Sequence, residues 1–185
     1  MKARTITLLL ALAVAGCSAP PLELYTLAFA PGPVRPSPPI SIELHRVGLA
    51  GYLDRAELVR SPSAYRLNVS DSERWAEPLG RMLERVFAED LVQRLPAASI
   101  FTESGAIATE ADRVVELDVQ RLDADPAGNV VLVAQIAVRR DIRSRPAMAR
   151  TVRLQANALP GQPVAATISV LVGQLADAAA ALISG

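Results

Sequence analysis

The amino-acid sequence predicts an α+β domain, built from a single mainly antiparallel sheet with two helices packed on one face. Several segments alternate apolar and polar residues, as strands with one buried face do, and turn residues separate them. Two longer segments, one in the middle of the chain and one at its end, repeat apolar residues at helical spacing. Consecutive strands joined by tight turns run antiparallel, and the helices cover the face that the sheet must bury.

The first 16 residues have the layout of a secretory signal peptide. Lys2 and Arg4 supply a positive start, residues 6–15 are almost wholly apolar, and small residues precede Cys17. The apolar stretch has about ten residues, roughly half of what a helix needs to cross a bilayer. We therefore expect a signal peptide at residues 1–16 and no retained transmembrane anchor.

Cys17 is the only cysteine of the chain and directly follows this apolar run. In an ordinary signal peptide it would be an unpaired thiol in an oxidising compartment. Residues 14–17, Val-Ala-Gly-Cys, instead resemble the bacterial lipobox, in which the cysteine sulfur receives a diacylglyceryl group and the cysteine becomes the mature amino terminus. Two or more acyl chains anchor a protein stably. We expect lipid attachment at Cys17, and Ser18 after it suggests the outer membrane.

Removal of the signal segment leaves about 170 residues, enough for one domain with a substantial core. The segment takes two of the 19 basic residues and none of the 19 acidic ones, so the mature chain is nearly neutral. Nothing in this balance favours nucleic acid or a polybasic membrane patch. With Cys17 lipidated, no disulfide can form within the chain.

Residues 17–39 are predicted to contain the lipidated terminus, a short strand and a proline-rich linker, ahead of a periplasmic domain at residues 40–185. Five prolines lie between Pro31 and Pro39, which excludes a helix and favours an extended spacer. Residues 23–28 have the composition of a strand and are expected to pair with the sheet. The free tether is then only a few residues long, and the domain sits close to the membrane.

Short strands and a helix begin the main domain. Residues 40–47 alternate apolar and polar side chains, and residues 56–61 and 64–69 are typical of short strands around a Ser-Pro-Ser turn. Pro78 suits the first turn of a helix, and Pro96 ends it. The apolar face of this helix consists of Leu79, Met82, Leu83, Val86, Phe87, Leu91 and Leu95.

Three longer strands are predicted at residues 115–122, 129–138 and 151–158. The second is apolar on both faces and is therefore expected to be central. Residues 125–129, Asp-Pro-Ala-Gly-Asn, supply the hairpin turn between the first two. A final helix over residues 164–184 completes the α+β pattern.

The sequence shows no arrangement typical of catalysis or metal binding. His45, the only histidine, lies on the polar side of a predicted strand, where it is more often a surface residue than a base or a ligand. Zinc spacings, nucleophile elbows and phosphate-binding glycine loops are missing. Carboxylate pairs such as Glu89 and Asp90 are expected on the solvated helix face. We expect a binding or scaffolding protein that is not an enzyme and needs no cofactor.

Two stretches are not explained by core building alone. Residues 48–61 place an aromatic residue and Asp-Arg in a turn between strands, and residues 72–79 place the only tryptophan just before the first helix. Together with the lipobox, Leu-Tyr-Thr-Leu at residues 24–27 and the helix after Pro78, they resemble the PqiC (YmbA) family of ABC-type transport auxiliary lipoproteins. The order of these motifs spans most of the mature chain.

This resemblance implies a partner among the MCE-domain proteins, whose ring-shaped assemblies carry lipids between the inner and outer membranes. The lipoprotein would be the periplasmic docking subunit anchored in the outer membrane, with homo-oligomers left open. One departure is that residues 50–51, Ala-Gly, stand where the family pattern has a proline. Aromatic residues beside arginine are enriched at interface hot spots. The candidate partner-binding residues are Tyr52, Leu53, Asp54, Arg55 and Trp75.

Alternatives stay open for both the site and the function. Tyr52 and Trp75 could instead close the end of the core, with Asp54 and Arg55 as a turn ion pair. The protein could also be a periplasmic lipid carrier or outer-membrane assembly chaperone that holds an acyl chain between sheet and helices. A carrier needs an apolar cavity of several hundred cubic ångströms, whereas the small residues at 178–181 favour close packing. An exposed sheet edge is a further docking route.

Overall fold

The computed structural model describes residues 20–107, 109–140 and 148–184. The predicted signal peptide and Cys17 lie outside the described residues. The described part forms nine strands and two helices, in the order β1 (Glu23–Tyr25), β2 (Ser41–Leu44), β3 (Gly48–Leu49), β4 (Glu57–Ser63), β5 (Arg66–Trp75), α1 (Leu79–Arg94), β6 (Ser99–Thr102), β7 (Arg113–Ala124), β8 (Asn129–Arg139), β9 (Met148–Asn157) and α2 (Val164–Ser184).

These strands form one mixed sheet around β7. On one side β8 pairs antiparallel with nearly the whole of β7, and β9 pairs antiparallel with β8. On the other side β2, β3 and β4 follow one another along β7, all parallel to it. The prediction of a mainly antiparallel sheet is therefore wrong, although the α+β class is confirmed. The early strands pair with a strand that follows α1 in the sequence, and local patterns do not record such a pairing.

The outer strands extend the sheet on the β4 side. β5 pairs antiparallel with β4, and β1 pairs parallel with β5, with Glu23 opposite Glu73. The β4–β5 turn lies at residues 64–65, later than the predicted Ser-Pro-Ser turn, because β4 continues through Pro62. β4 meets β7 only at Arg60, so Pro62 has no second neighbour and interrupts no ladder hydrogen bond on that side.

Both predicted helices are present. α1 ends at Arg94 ahead of Pro96, and α2 spans the predicted residues 164–184. α1 contacts α2 and β6, while α2 contacts β8 and β9. α2 is long and apolar enough to cross a membrane, with a hydropathy of 1.7, but 61% of that window is buried inside the domain, as is typical of a core helix. The packing of both helices on one face of the sheet stays a prediction.

The core is built from the apolar positions that the sequence patterns indicated. Every residue of the predicted α1 face is buried, and so are the alternating residues of β8 that face the interior. The latter are Val130, Leu132, Ala134, Ile136 and Val138. The hairpin between β7 and β8 turns at the predicted residues, where the Asp125 carboxylate accepts hydrogen bonds from the backbone and side chain of Asn129.

Candidate anchoring and docking surfaces

Residues 26–35, which we call the strap, run from the end of β1 across both helices. Four of their backbone N–H groups donate to helix side chains at 2.9–3.1 Å. A fully extended segment has no hydrogen bonds of its own, so these acceptors satisfy its backbone. The proline-rich stretch is therefore part of the folded domain. The donor and acceptor pairs are Leu27 with Met82, Ala28 with Ser169, Ala30 with Asp90 and Gly32 with Gln93.

Arg94, in the last turn of α1, joins the strap to both helices. The residue is 1% exposed. Its guanidinium donates to the carbonyl oxygens of Ala30 at 3.1 Å and Gly173 at 2.9 Å, and to the Asp177 carboxylate at 2.5 Å. The backbone carbonyl of Arg94 in turn accepts from the Arg35 N–H at 2.7 Å. A buried charge is tolerated only where its donors are satisfied, as they are here.

Asp90 is fully buried, which corrects the expectation that it shares the solvated face of α1 with Glu89. The strap covers this side of the helix, and Asp90 Oδ1 accepts the Ala30 N–H at 2.9 Å. Burial raises the pKa of the Asp90 carboxyl to about 6, against the lowering effects of the Ala30 hydrogen bond and the nearby Arg94 guanidinium. In the part of the chain that the structure describes, Asp90 Oδ2 has no hydrogen-bond partner.

Two glycines let the strap approach the helices closely. A Cβ atom on Gly173 would lie 2.8 Å from the Ala30 Cβ, and one on Gly32 would collide with the Arg94 guanidinium. Both positions therefore need a residue without a side chain. The sequence gives no local sign of this requirement, because the contacting residues are far apart along the chain.

The predicted partner-binding turn is held to the sheet by Tyr52. The Tyr52 hydroxyl donates to Asp123 Oδ2 at 2.9 Å and accepts the Leu122 N–H at 3.2 Å. Burial is the main cause that raises the pKa of Tyr52 to about 12, and Asp123 adds to it. The Arg121 guanidinium contacts both Asp123 oxygens at 2.9–3.2 Å. Tyr52 thus fixes the loop over β7.

The remaining candidate residues divide into buried and exposed ones. Leu53 and Trp75 are 3% and 8% exposed and belong to the core. Asp54 and Arg55 are exposed, and among the described residues no ion pair joins them. The Trp75 N–H donates to the Ala56 carbonyl at 2.7 Å, which ties the loop to the end of β5.

The exposed part of this loop borders a groove at the start of α1. One section, of about 390 Å³, is lined by Asp54, Arg55, Trp75 and Pro78 among others. A second section, of about 410 Å³, shares Asp54 and Pro78 and continues past Arg81. The structure thus brings Asp54, Arg55 and Trp75 to one concave surface, whereas Tyr52 and Leu53 support the loop from behind. Partner binding by these residues stays a prediction.

Among the described residues, the enclosed space found between the sheet and the helices is small. The enclosed cavity beside Leu53, Trp75 and Ile168 has a volume of about 10 Å³. Larger hollows of about 420 and 460 Å³ are open surface grooves, one between α1 and β6 and the other beside β7, β8 and β9. Within the described ranges, no group of three or more His, Cys, Asp or Glu side chains could hold a metal ion.

Comparisons with known proteins agree with this architecture. A solved structure of an uncharacterized protein superposes with a TM-score of 0.74 at 16% identity, covering 89% of this chain and all of that one. A Xanthomonas campestris protein of the DUF330 family superposes with a TM-score of 0.66 at 17% identity, covering 88% and 92%. At these identities the likeness shows the fold alone. Among proteins of curated function, no sequence matches this chain significantly.

The sequence itself carries the family assignment. The model of a family described as "ABC-type transport auxiliary lipoprotein component" matches residues 25–180. This match begins at the last residue of β1, includes the strap, α1 and the other strands, and ends within α2. It confirms the resemblance seen in the motifs around residues 24–27, 48–61 and 72–79. The chain belongs to the family of ABC-type transport auxiliary lipoprotein components.

Proposed function

We propose that this protein is the outer-membrane-anchored periplasmic docking subunit of an MCE-type intermembrane lipid transport system, and that it acts without catalysis. Family membership implies a membrane-anchored periplasmic lipoprotein that assists a transporter. The choice of the outer membrane and of an MCE-domain partner is our proposal. It is supported by Ser18 after the lipobox, by the short tether and by the surface groove.

The closed interior is the observation that carries this proposal. Sites that enclose a small organic molecule have volumes of about 300–1,000 Å³, whereas the enclosed cavity between sheet and helices has about 10 Å³. An acyl chain therefore has no room in the packed core. The domain is better suited to hold a protein partner on its surface than to carry lipid itself.

The pairing of β1 with the sheet limits how far the domain can reach from the bilayer. Because β1 begins at Glu23, only five residues, 18–22, separate it from the proposed anchor at Cys17. The six Cα-to-Cα steps from Cys17 to Glu23 span at most about 20 Å. A partner that binds this domain is thus held beside the membrane surface, as the end of a conduit between two membranes must be.

The groove at the start of α1 is the proposed docking site. Its rim carries Asp54 and Arg55, whose side chains are free to pair with a partner, and its wall includes the nearly buried Trp75. The Tyr52 hydrogen bonds hold this loop in place before binding, which lowers the entropy cost of association. A rigid aromatic wall with charged residues at its rim is typical of interface hot spots.

The test is co-purification of the tagged, full-length lipoprotein with the MCE-domain protein of the same cells from detergent-solubilised membranes. Arg55→Glu should reduce recovery of the partner by about tenfold or more, because a reversed charge at an interface costs more than about 1.4 kcal/mol. The matched control is Arg153→Glu, which reverses an exposed charge on β9 away from the groove. If the parent recovers no MCE-domain protein, the docking proposal fails. Equal recovery by both variants would instead exclude this groove.

A further inference from the structure

The β4–β5 hairpin extends beyond the rest of the sheet. Among the described strands, β4 meets β7 only at Arg60, and β1 covers β5 only from Glu73 onward. Residues 61–70, which we call the hairpin tip, therefore form a two-stranded projection. At its base Arg60 donates to both carboxylate oxygens of Glu73, at 2.8 and 2.9 Å. A two-stranded hairpin without further support is only marginally stable in water.

The hairpin tip exposes three large side chains with apolar surface. Tyr65 in the turn is fully exposed, while Leu67 and Val69 on β5 are 46% and 42% exposed. The tip contains no Asp or Glu, and Arg66 is its one charged residue. Exposed apolar residues grouped in this way are typical of a site that contacts another protein or a membrane. Tyrosine is enriched where water meets the bilayer, since its ring is apolar and its hydroxyl polar.

The direction of β1 places the membrane anchor at the same end of the molecule. Because β1 runs parallel to β5, the chain before Glu23 leaves toward the beginning of β5, where the hairpin tip lies. Six residues from Glu23 back to Cys17 span at most about 20 Å. Seven residues of β5 from Glu73 back to Arg66 span about 23 Å. The anchor and the hairpin tip can therefore reach one plane.

Two further apolar residues lie between the anchor and the sheet. Leu22 and Leu24 are 55% and 63% exposed, just before and within β1. They lie beside the strand pair of β1 and β5, which connects the hairpin tip with the proposed anchor. The bilayer is the surface that the anchor necessarily brings to this end of the domain, whereas the docking groove lies at the start of α1.

We infer that the hairpin tip contacts the lipid bilayer as a second membrane contact beside the acyl chains. Tyr65 in the turn reaches farthest into the interface, Leu67 and then Val69 follow it on β5 toward the domain, and Arg66 faces anionic headgroups. The inference rests on lipid attachment at Cys17, and it adds an orientation to the proposed function. A domain held at two points cannot rotate freely about its tether, so the docking groove keeps a fixed angle to the membrane.

The chain offers a clean labelling experiment. Cys17 is the only cysteine, so once it is acylated an introduced cysteine is the only free thiol. Full-length acylated protein carrying Leu67→Cys is labelled with an environment-sensitive fluorophore and reconstituted into phosphatidylethanolamine–phosphatidylglycerol vesicles that contain nitroxide-labelled lipid. The control is Val92→Cys on α1, which is 49% exposed and so matches Leu67 in exposure. Mass spectrometry establishes acylation of each sample.

Contact with the bilayer predicts a blue shift and strong quenching by nitroxide lipid at position 67, with neither effect at position 92. Acylated protein that shows no quenching at position 67, or equal quenching at both positions, overturns the inference and leaves the anchor intact. A blue shift at position 67 without quenching by nitroxide lipid indicates a protein surface, such as a second copy of the chain, and also overturns it. Absence of acyl mass on Cys17 overturns the anchor and the inference together.

Discussion

At the scale of single residues, buried polar groups hold two segments in place. These are the strap and the loop of residues 50–56, which we call the docking loop. Arg94 and Asp90 fix the strap with charged side chains that have little or no exposure. Tyr52 fixes the loop through one donated and one accepted hydrogen bond. Removal of one partner from such a buried pair leaves the other unsatisfied, which costs about 1–3 kcal/mol. These residues determine which surfaces the domain can present.

The raised pKa of Asp90 predicts a specific dependence of stability on pH. Because the carboxyl pKa rises from 3.8 to about 6 in the folded protein, the folded state holds the proton more tightly than the unfolded one. The resulting stabilisation is fully present below pH 3.8 and is lost as the pH rises through about 6. It amounts to at most about 3 kcal/mol, with Arg94, Glu89 and Asp177 as the neighbouring charges.

Denaturant unfolding at pH 5 and pH 7 measures this contribution. The parent should gain stability from Asp90 at the lower pH, and Asp90→Asn should remove that gain, because an amide does not titrate. Asp71→Asn, which removes an exposed carboxylate on β5 away from Asp90, should keep the parental dependence. An unchanged pH dependence in Asp90→Asn would show that the carboxyl does not titrate in this range.

Tyr52→Phe tests whether the hydrogen bonds of the Tyr52 hydroxyl hold the docking loop in place. The substitution leaves the Leu122 N–H and the 3%-exposed Asp123 short of one partner each. We expect a loss of about 1–3 kcal/mol in the free energy of unfolding and weaker capture of the partner. Tyr65→Phe, at the fully exposed turn, should be nearly neutral in the same chemical denaturation measurement. Equal stability of the two variants would mean that the hydroxyl does not hold the loop.

At the scale of elements, the helices and the β7–β8 hairpin were predictable because their signals are local. Apolar spacing and Pro96 define α1, and residues 125–129 contain the turn chemistry of the hairpin. The parallel pairing of β2, β3 and β4 with β7 joins segments about 70 residues apart, and no local pattern encodes it. The strap escaped prediction because many of its contacts are made by backbone N–H groups, which every sequence has.

The candidate site was predictable in part for the same reason. A turn with Asp54 and Arg55 exposed follows from its position between two strands. Within the loop, Leu53 is buried and Tyr52 donates to Asp123. Both features depend on β7, which lies about 70 residues later in the sequence. Asp90 was misplaced on the solvated face because helical periodicity does not reveal that the strap covers it.

The close approach of strap and helix is tested by Gly173→Ala. The new Cβ would lie 2.8 Å from the Ala30 Cβ, so the strap or α2 must shift. Overpacking of this kind costs about 1–3 kcal/mol, and thermal unfolding should show a lower midpoint. Gly51→Ala is the matched control, since nothing lies within 4 Å of its Cβ position. Should the two variants unfold alike, the strap does not pack on α2 as described.

At the scale of the whole molecule, the domain has a closed core, a short tether and a rigid surface groove. The position of β1 brings the folded part to within about 20 Å of the proposed anchor, and the hairpin tip would add a second contact with the bilayer. Such an arrangement suits a fixed adaptor at a membrane surface better than a carrier that must leave it.

Native mass spectrometry of the full-length acylated protein, released from membranes together with its partner, tests the central claim most directly. The account predicts a chain whose mass is that of the acylated polypeptide alone, together with a complex that contains the MCE-domain protein. A chain that retains an additional phospholipid and brings no MCE-domain protein would contradict the account and would identify a lipid carrier.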